Sequence, residues 1–286
     1  MFSSISRAGW LGFFLALSPW ASSEEAVDCA KRGASLGAGV SARGLDRTCA
    51  QAVFNRAPAS QSTTSPYEKF SAAGFQNLVS LVSHTGTDKY DFISGPNTGL
   101  NAVESIALSP TRKEVWILNR QEDGSKDLRV FISRYGGNLS PIWVYAGPEL
   151  SGASLIQVDR AGEEVALWFP EQKTVKIMGI GSLPGGKDRT LVPKWSRSFS
   201  IPMTDADSIE AFTWVSHKKM MAMVSLSQSQ VSVFREPAAV GPASLVEGPI
   251  RLPLNPKPVR VYWSEKSEGL QSVFQDGSTS LLRMDP

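Results

Sequence analysis

Apolar residues in this chain come in short blocks separated by turn-forming and charged residues. Blocks of this length, rich in Val, Ile, Phe and Trp, read as β-strands. From about Asn101 onward they recur as units. The first unit holds Ser105–Leu108, Val115–Leu118, Leu128–Ile132 and Ile142–Tyr145. The second holds Leu155–Val158, Val165–Trp168, Val175–Met178 and Trp195–Ile201. The third runs Ala211–Trp214, Met221–Val224, Val231–Phe234 and Ile250–Leu252. The fourth has Val259–Trp263, Leu270–Phe274 and Ser280–Met284, with no fourth block before Pro286. Ile106, Ile156, Phe212 and Val261 hold matching places, 50, 56 and 49 residues apart.

A unit of about 40–50 residues with four short strands is the repeat of a β-propeller blade. The expected fold is therefore all-β: a small propeller of four to five blades over residues 67–286. A two-sheet sandwich would show shorter spacing. An outer-membrane barrel needs strands of about 9–11 residues, longer than these. The missing block in the last unit predicts closure by a strand from near the N-terminus, which would remove two exposed edges. Leu78–Ser83 and Tyr90–Ile93 are the candidates. The alternative places both in an incomplete extra blade.

The run Ile106-Ala-Leu-Ser-Pro-Thr-Arg-Lys-Glu-Val-Trp-Ile117, followed by Leu128-Arg-Val-Phe131, resembles the blade of lactonase-like and YVTN-type propellers. The resemblance covers residues 101–286. It is sharpest in the first unit and fades in the third and fourth, which lack the turn proline and most of the glycine. Blade patterns of this kind imply the fold and carry little about function.

The segment before the repeats is different. Arg7 is the lone charge among the first 23 residues, followed by an apolar run from Trp10 to Leu17 and the small residues Ala21-Ser22-Ser23. These are the parts of a secretory signal peptide, with cleavage expected after Ser23. The run is too short to span a membrane, which takes about 20 residues; an uncleaved N-terminal anchor is the alternative. Export makes a Cys29–Cys49 disulfide permissible, closing a loop worth about 3 kcal/mol. Two buried free thiols are the other reading. Glu24–Lys31 and the stretch after Asp46, a candidate N-cap, read as short helices that such a bridge would tie together. Residues 57–66 have no large apolar side chain and read as a linker or exposed loop.

Composition is globular, 42% hydrophobic and 20% charged. With 29 basic and 27 acidic residues, no electrostatic footprint for nucleic acid is expected. The two histidines, His84 and His217, fall in predicted turns, so a histidine metal site is not expected. There is no Gly-x-Ser-x-Gly nucleophile element. The glycine-rich run from Gly179 leads into no predicted helix. Glu104 and Glu210 each precede a matching apolar position by two residues. With Asp207, and with Asn101 nearby, they are candidate Ca²⁺ ligands at a central channel; solvated strand-end carboxylates are the other reading. Ser154 and Val259 at the equivalent places do not extend that set. Trp214 and Trp263 align with Leu108 and Val158, which makes them packing residues; an aromatic ligand platform is the alternative. Trp143 and Trp195 lie in outermost strands, where exposure would signal a protein contact.

Two functions fit these features. One is an exported, periplasmic or secreted, non-catalytic propeller that binds or scaffolds another envelope or extracellular protein. The other is a metal-dependent, lactonase-like hydrolase using Ca²⁺ at the channel carboxylates.

Overall fold

The computed structural model describes residues 23–35, 45–57, 62–65, 70–83, 89–109, 111–133, 135–180, 190–203, 209–239, 241–253, 258–264, 269–274 and 278–283. The leader-like stretch, His84, Asp207 and most of the glycine-rich run after Gly179 lie outside them.

Two helices lead. α1 is Ser23–Ala34 and α2 is Arg47–Arg56. Asp46 caps α2 as expected: its Oδ1 accepts from the Thr48 amide at 2.9 Å and the Cys49 amide at 3.2 Å. Cys29 and Cys49 form a disulfide with Cα atoms 5.7 Å apart, joining the two helices.

Among the described residues five sheets follow in chain order, antiparallel except where β12 joins the second. The first is β1 (Ser62–Ser65), β2 (Phe70–Phe75), β3 (Leu78–Ser83) and β4 (Lys89–Ile93). The second is β5 (Ala102–Ser109), β6 (Glu114–Arg120), β7 (Lys126–Ile132) and β8 (Trp143–Ala146). The third is β9 (Leu155–Val158), β10 (Glu164–Phe169), β11 (Thr174–Gly179) and β13 (Trp195–Ser200); between the last two, β12 (Thr190–Leu191) crosses to the second sheet. The fourth is β14 (Ala211–Val215), β15 (Met220–Ser225), β16 (Gln230–Arg235) and β17 (Ser244–Arg251). The fifth holds three strands, β18 (Pro258–Ser264), β19 (Gly269–Phe274) and β20 (Thr279–Arg283). Among the described residues there are thus four full sheets and a fifth of three strands.

The first strands of successive sheets, β5, β9, β14 and β18, neighbour one another, and β5 also neighbours β1 and β2. These strands form the inner side of the stack. The sheets are the blades of a β-propeller.

Side chains alternate across each blade, so each sheet has two apolar faces. Five core clusters result, and they run in series. The first joins Cys29, Ala30, Cys49, Ala50 and Val53 of the helices to Ala73, Leu78, Val82 and Phe92 of the first blade. Ala72, Val79, Leu81 and Ile93, on the other face of that blade, pack on Val103, Ile106, Val115 and Ile117 of the second. Trp116 and Leu128 meet Ile156 and Leu167 between blades two and three. Trp168 and Phe199 meet Trp214 and Met223 between three and four. Val224 and Val231 meet Val261 and Leu270 between four and five. The helix pair is therefore a cap on the distal face of the first blade. A terminal cap is what an array of repeats needs at an end where a sheet face has no next repeat.

Two expectations change here. Leu78–Ser83 and the Tyr90–Ile93 strand do not complete the last blade. They are the third and fourth strands of a full first blade, and β20 pairs only with β19 among the described residues. The reason is local: β2 reaches β3 through the two-residue turn Gln76-Asn77, and closing so short a loop costs less chain entropy than reaching a distant edge. The stretch expected as a linker contains β1, which pairs Ser62–Ser65 with Phe70–Ala73.

Candidate functional site

The richest polar constellation lies where the inner strand of the second blade begins. Asn119 lies next to the end of β6 and Asp127 next to the start of β7; both are buried. Asp127 accepts from Asn119 Nδ2 at 3.0 Å, Gln121 Nε2 at 2.7 Å, Arg129 Nε at 3.1 Å and Arg129 Nη2 at 2.6 Å. Arg129 Nη1 donates on to the Thr98 carbonyl at 2.8 Å. Asn119 Oδ1 takes the amides of Asn101 and Ala102 at 2.9 and 3.2 Å. Gly99, at φ 63°, sits under the guanidinium; a Cβ there would lie 2.0 Å from Arg129 Nη1. So the network clamps the link between the first and second blades. With four donors on Asp127, no lone pair is left aimed at a substrate.

Glu104 and Asn101 stand beside this clamp. Glu104 lies on β5 at a register shift and is ion-paired to Lys126 Nζ at 2.7 Å and Arg120 Nε at 3.3 Å. Lys126 also donates to the Ala153 carbonyl at 2.6 Å, tying the pair to the third blade. Asn101 Nδ2 donates to Gln121 Oε1 at 2.7 Å. Glu210 belongs to the fourth blade, where its Oε2 accepts the Ser227 amide at 2.5 Å. Each carboxylate is thus engaged within its own part of the fold. Among the described residues no three His, Cys, Asp or Glu side chains gather as ligands of one ion. A cation would have to compete with Lys126 and Arg120 for Glu104, so the donors as arranged do not fit Ca²⁺.

At the opposite strand ends, a second set of bonds stitches blades together. Asp159 Oδ1 accepts the amides of Glu163 and Glu164 at 2.8 and 2.9 Å and its Oδ2 accepts Ser216 Oγ at 2.9 Å. Thr111 Oγ1 donates to the Arg160 carbonyl at 2.6 Å. Glu164 takes Arg197 at 2.8 Å and the Trp214 indole N–H at 3.1 Å. Arg197 Nε also lies 2.6 Å from Glu236, an ion pair without hydrogen-bond alignment. Trp214 is buried, a packing residue as its alignment with Leu108 implied. The Trp263 side chain lies outside what is described. Trp143 and Trp195 are half-buried, each packed against the core between blades two and three. His217 is exposed in a turn. Tyr145, stacked on Trp116 at 5.6 Å, has its hydroxyl pushed up to about 12 by burial.

The sequence pointed at Glu104 and Glu210 because they echo across units. It passed over Asp127, Arg129 and Asn119, which sit at strand ends and find their partners only in the folded sheet.

No family model and no curated protein matches the chain. Solved structures similar to it include the β-propeller domain of Cps50 (Swd1) from Myceliophteria thermophila, at 11% identity and TM-score 0.48, covering 77% of this chain and 67% of that one. A second is a putative 6-phosphogluconolactonase from Bacteroides fragilis, at 12% identity and TM-score 0.47, covering 78% and 69%. A third is a chain of the mitotic checkpoint complex, at 14% identity and TM-score 0.46, covering 79% and 77%. Likeness at this level speaks to neither substrate nor partner.

Proposed function

We propose that this chain is an exported, non-catalytic β-propeller that binds or scaffolds another protein of the cell envelope or extracellular space. The observation that carries the reading is the state of its charged groups. Glu104, Asp127, Glu164 and Glu210 all serve to hold blades or turns. What remains for function is a rigid frame with loops and strand edges, which suits protein recognition. Export is supported by the leader-like first 23 residues and by the disulfide, which belongs to an oxidising compartment. No helix among the described residues is long and apolar enough to cross a membrane.

The test is fractionation of the native host expressing a tagged chain, followed by crosslinking and affinity capture. The expected result is an envelope or medium location with oxidised cysteines and a stoichiometric protein partner. A cytoplasmic chain with reduced cysteines, or capture with no stoichiometric partner, refutes the reading. Calcium titration followed by thermal unfolding tests the rival. No shift is expected, and a saturable rise in Tm would favour the Ca²⁺-dependent, lactonase-like hydrolase.

A further inference from the structure

The outer edges of the first three blades are each covered in the same way. A segment between the third and fourth strands of one blade reaches back to the outermost strand of the blade before it. Gly137, between β7 and β8, forms a parallel bridge with Ile93 of β4, its amide donating to the Phe92 carbonyl and its carbonyl accepting the Ser94 amide at 3.3 Å. Asn138 Oδ1 beside it takes the Asn97 amide at 2.7 Å. β12, between β11 and β13, pairs in parallel with β8 through Thr190 and Leu191. Ala243, just before β17, donates its amide to the Ser200 carbonyl at the end of β13 at 2.8 Å. Small residues recur at these contacts. At Gly136 a Cβ would fall 2.1 Å from an Asp91 carboxylate oxygen and 2.8 Å from the Phe92 amide nitrogen.

The fourth blade breaks the series. β17 is its outermost strand, and among the described residues its outward edge has no partner. The segment equivalent to Gly137, β12 and Ala243 would follow β20, beyond the described residues. Leu245 and Val246, at the start of β17, are 52% and 39% exposed, two adjacent apolar side chains on an open strand edge. Open apolar edges are the feature that proteins usually blunt with charge, proline or a covering segment. Pro249 interrupts β17 only further along, leaving Ser244–Glu247 as the free run. Arg235, opposite Ser244, and Arg251 at the far end are both exposed.

We propose that the Ser244–Glu247 edge of β17 is the recognition site, taking an extended segment of the partner protein as an added strand. The proposal rests on the protein-binding reading above and names where that binding occurs. The occupant is an extended peptide, about four residues in contact, running parallel to β17 as β12 does to β8. Main-chain hydrogen bonds supply its affinity, and side-chain pockets its selectivity. Its centre is apolar, to cover Leu245 and Val246. Its flanks are acidic, to meet Arg235 and Arg251.

A phage-displayed library of random heptapeptides is the probe, selected on the full chain. Enriched peptides are expected to be apolar in the middle and acidic at the ends. Leu245→Lys and Val246→Lys, both at exposed positions, are each expected to weaken the best peptide about tenfold or more, while Tyr135→Lys on another blade leaves it unchanged. Bound peptide should also slow hydrogen exchange of the β17 amides that face away from β16. The proposal is overturned if enriched peptides bind both Lys variants as tightly as wild type, or if no peptide is enriched. It is likewise overturned if the β17 amides that face away from β16 are already protected in the free chain, which would mean that the chain's own residues cover the edge. Concentration-dependent dimerisation lost in the Lys variants would overturn it in favour of a second copy. A captured envelope partner that still binds the Lys variants would sink the β17 site and leave the protein-binding function standing.

Discussion

Asp127→Asn is the sharpest probe of the clamp between the first two blades. Asp127 accepts four hydrogen bonds, two of them from the Arg129 guanidinium. The side chains of Asp127 and Arg129 are only 8% and 15% exposed. Asparagine offers one acceptor oxygen where aspartate offers two, and it places an N–H₂ against donors. Two bonds to a charged acceptor are lost, each worth roughly 1.5–3 kcal/mol. Arg129 keeps its charge and loses its partner, and breaking one side of a buried pair costs about 3–5 kcal/mol. These figures overlap in what they count, so the expected loss is about 3–4 kcal/mol. For a chain of this size each kcal/mol moves Tm by roughly 2–4 °C, giving a fall of about 10 °C. Urea unfolding followed by tryptophan fluorescence measures the loss directly. A double-mutant cycle with Arg129→Met should show coupling of about 2 kcal/mol, because the two residues share one network. A loss under about 1 kcal/mol, or additive single effects, would refute the clamp.

Other consequences can be measured separately. Replacing Cys29 and Cys49 together by Ser should cost about 3 kcal/mol on the loop-entropy model, read as a lower urea midpoint. Trp214→Phe removes the indole N–H bond to the Glu164 carboxylate and should cost about 2 kcal/mol or more of stability in the same assay. Tyr145 should titrate near 12 by ultraviolet tyrosinate absorbance, against an ordinary value of 10.0. Its folded pKa lies above the unfolded one, so its contribution to stability is intact below pH 10 and is lost as pH rises toward 12. Tyr145→Phe should flatten that part of the pH–stability curve.

The repeat region was legible because its strands are buried on both faces. Blocks such as Val115–Leu118 and Val165–Trp168 stay apolar throughout and announce themselves without alternation. The first blade was half hidden for the opposite reason. β1 is Ser-Thr-Thr-Ser, an inner strand that carries no apolar signal. β2 is built from small residues because space demands it. A Cβ at Gly74 would fall 2.5 Å from Val103 of the next blade. Reading β1 as a linker and passing over β2 led to the expectation that β3 or β4 closes the last blade. The helix pair makes that closure unnecessary for the first blade, since it covers Leu78, Val82 and Phe92 itself. The disulfide and the Asp46 cap were readable because both are short-range features. The Asp127 clamp was not, because its members come from the β4–β5 link and the β6–β7 hairpin, which meet only when the sheet is formed.

The central claim is the order of the stack: helices, then five blades in series, with the cap taking the place of a ring-closing neighbour. Hydrogen exchange on a chain lacking residues 24–57 tests it most directly. The account predicts that β2, β3 and β4 lose protection by orders of magnitude while β14 to β20 keep theirs. If β18, β19 and β20 lose protection together with the first blade, the helices and both end blades form one closed core, and the serial account is wrong.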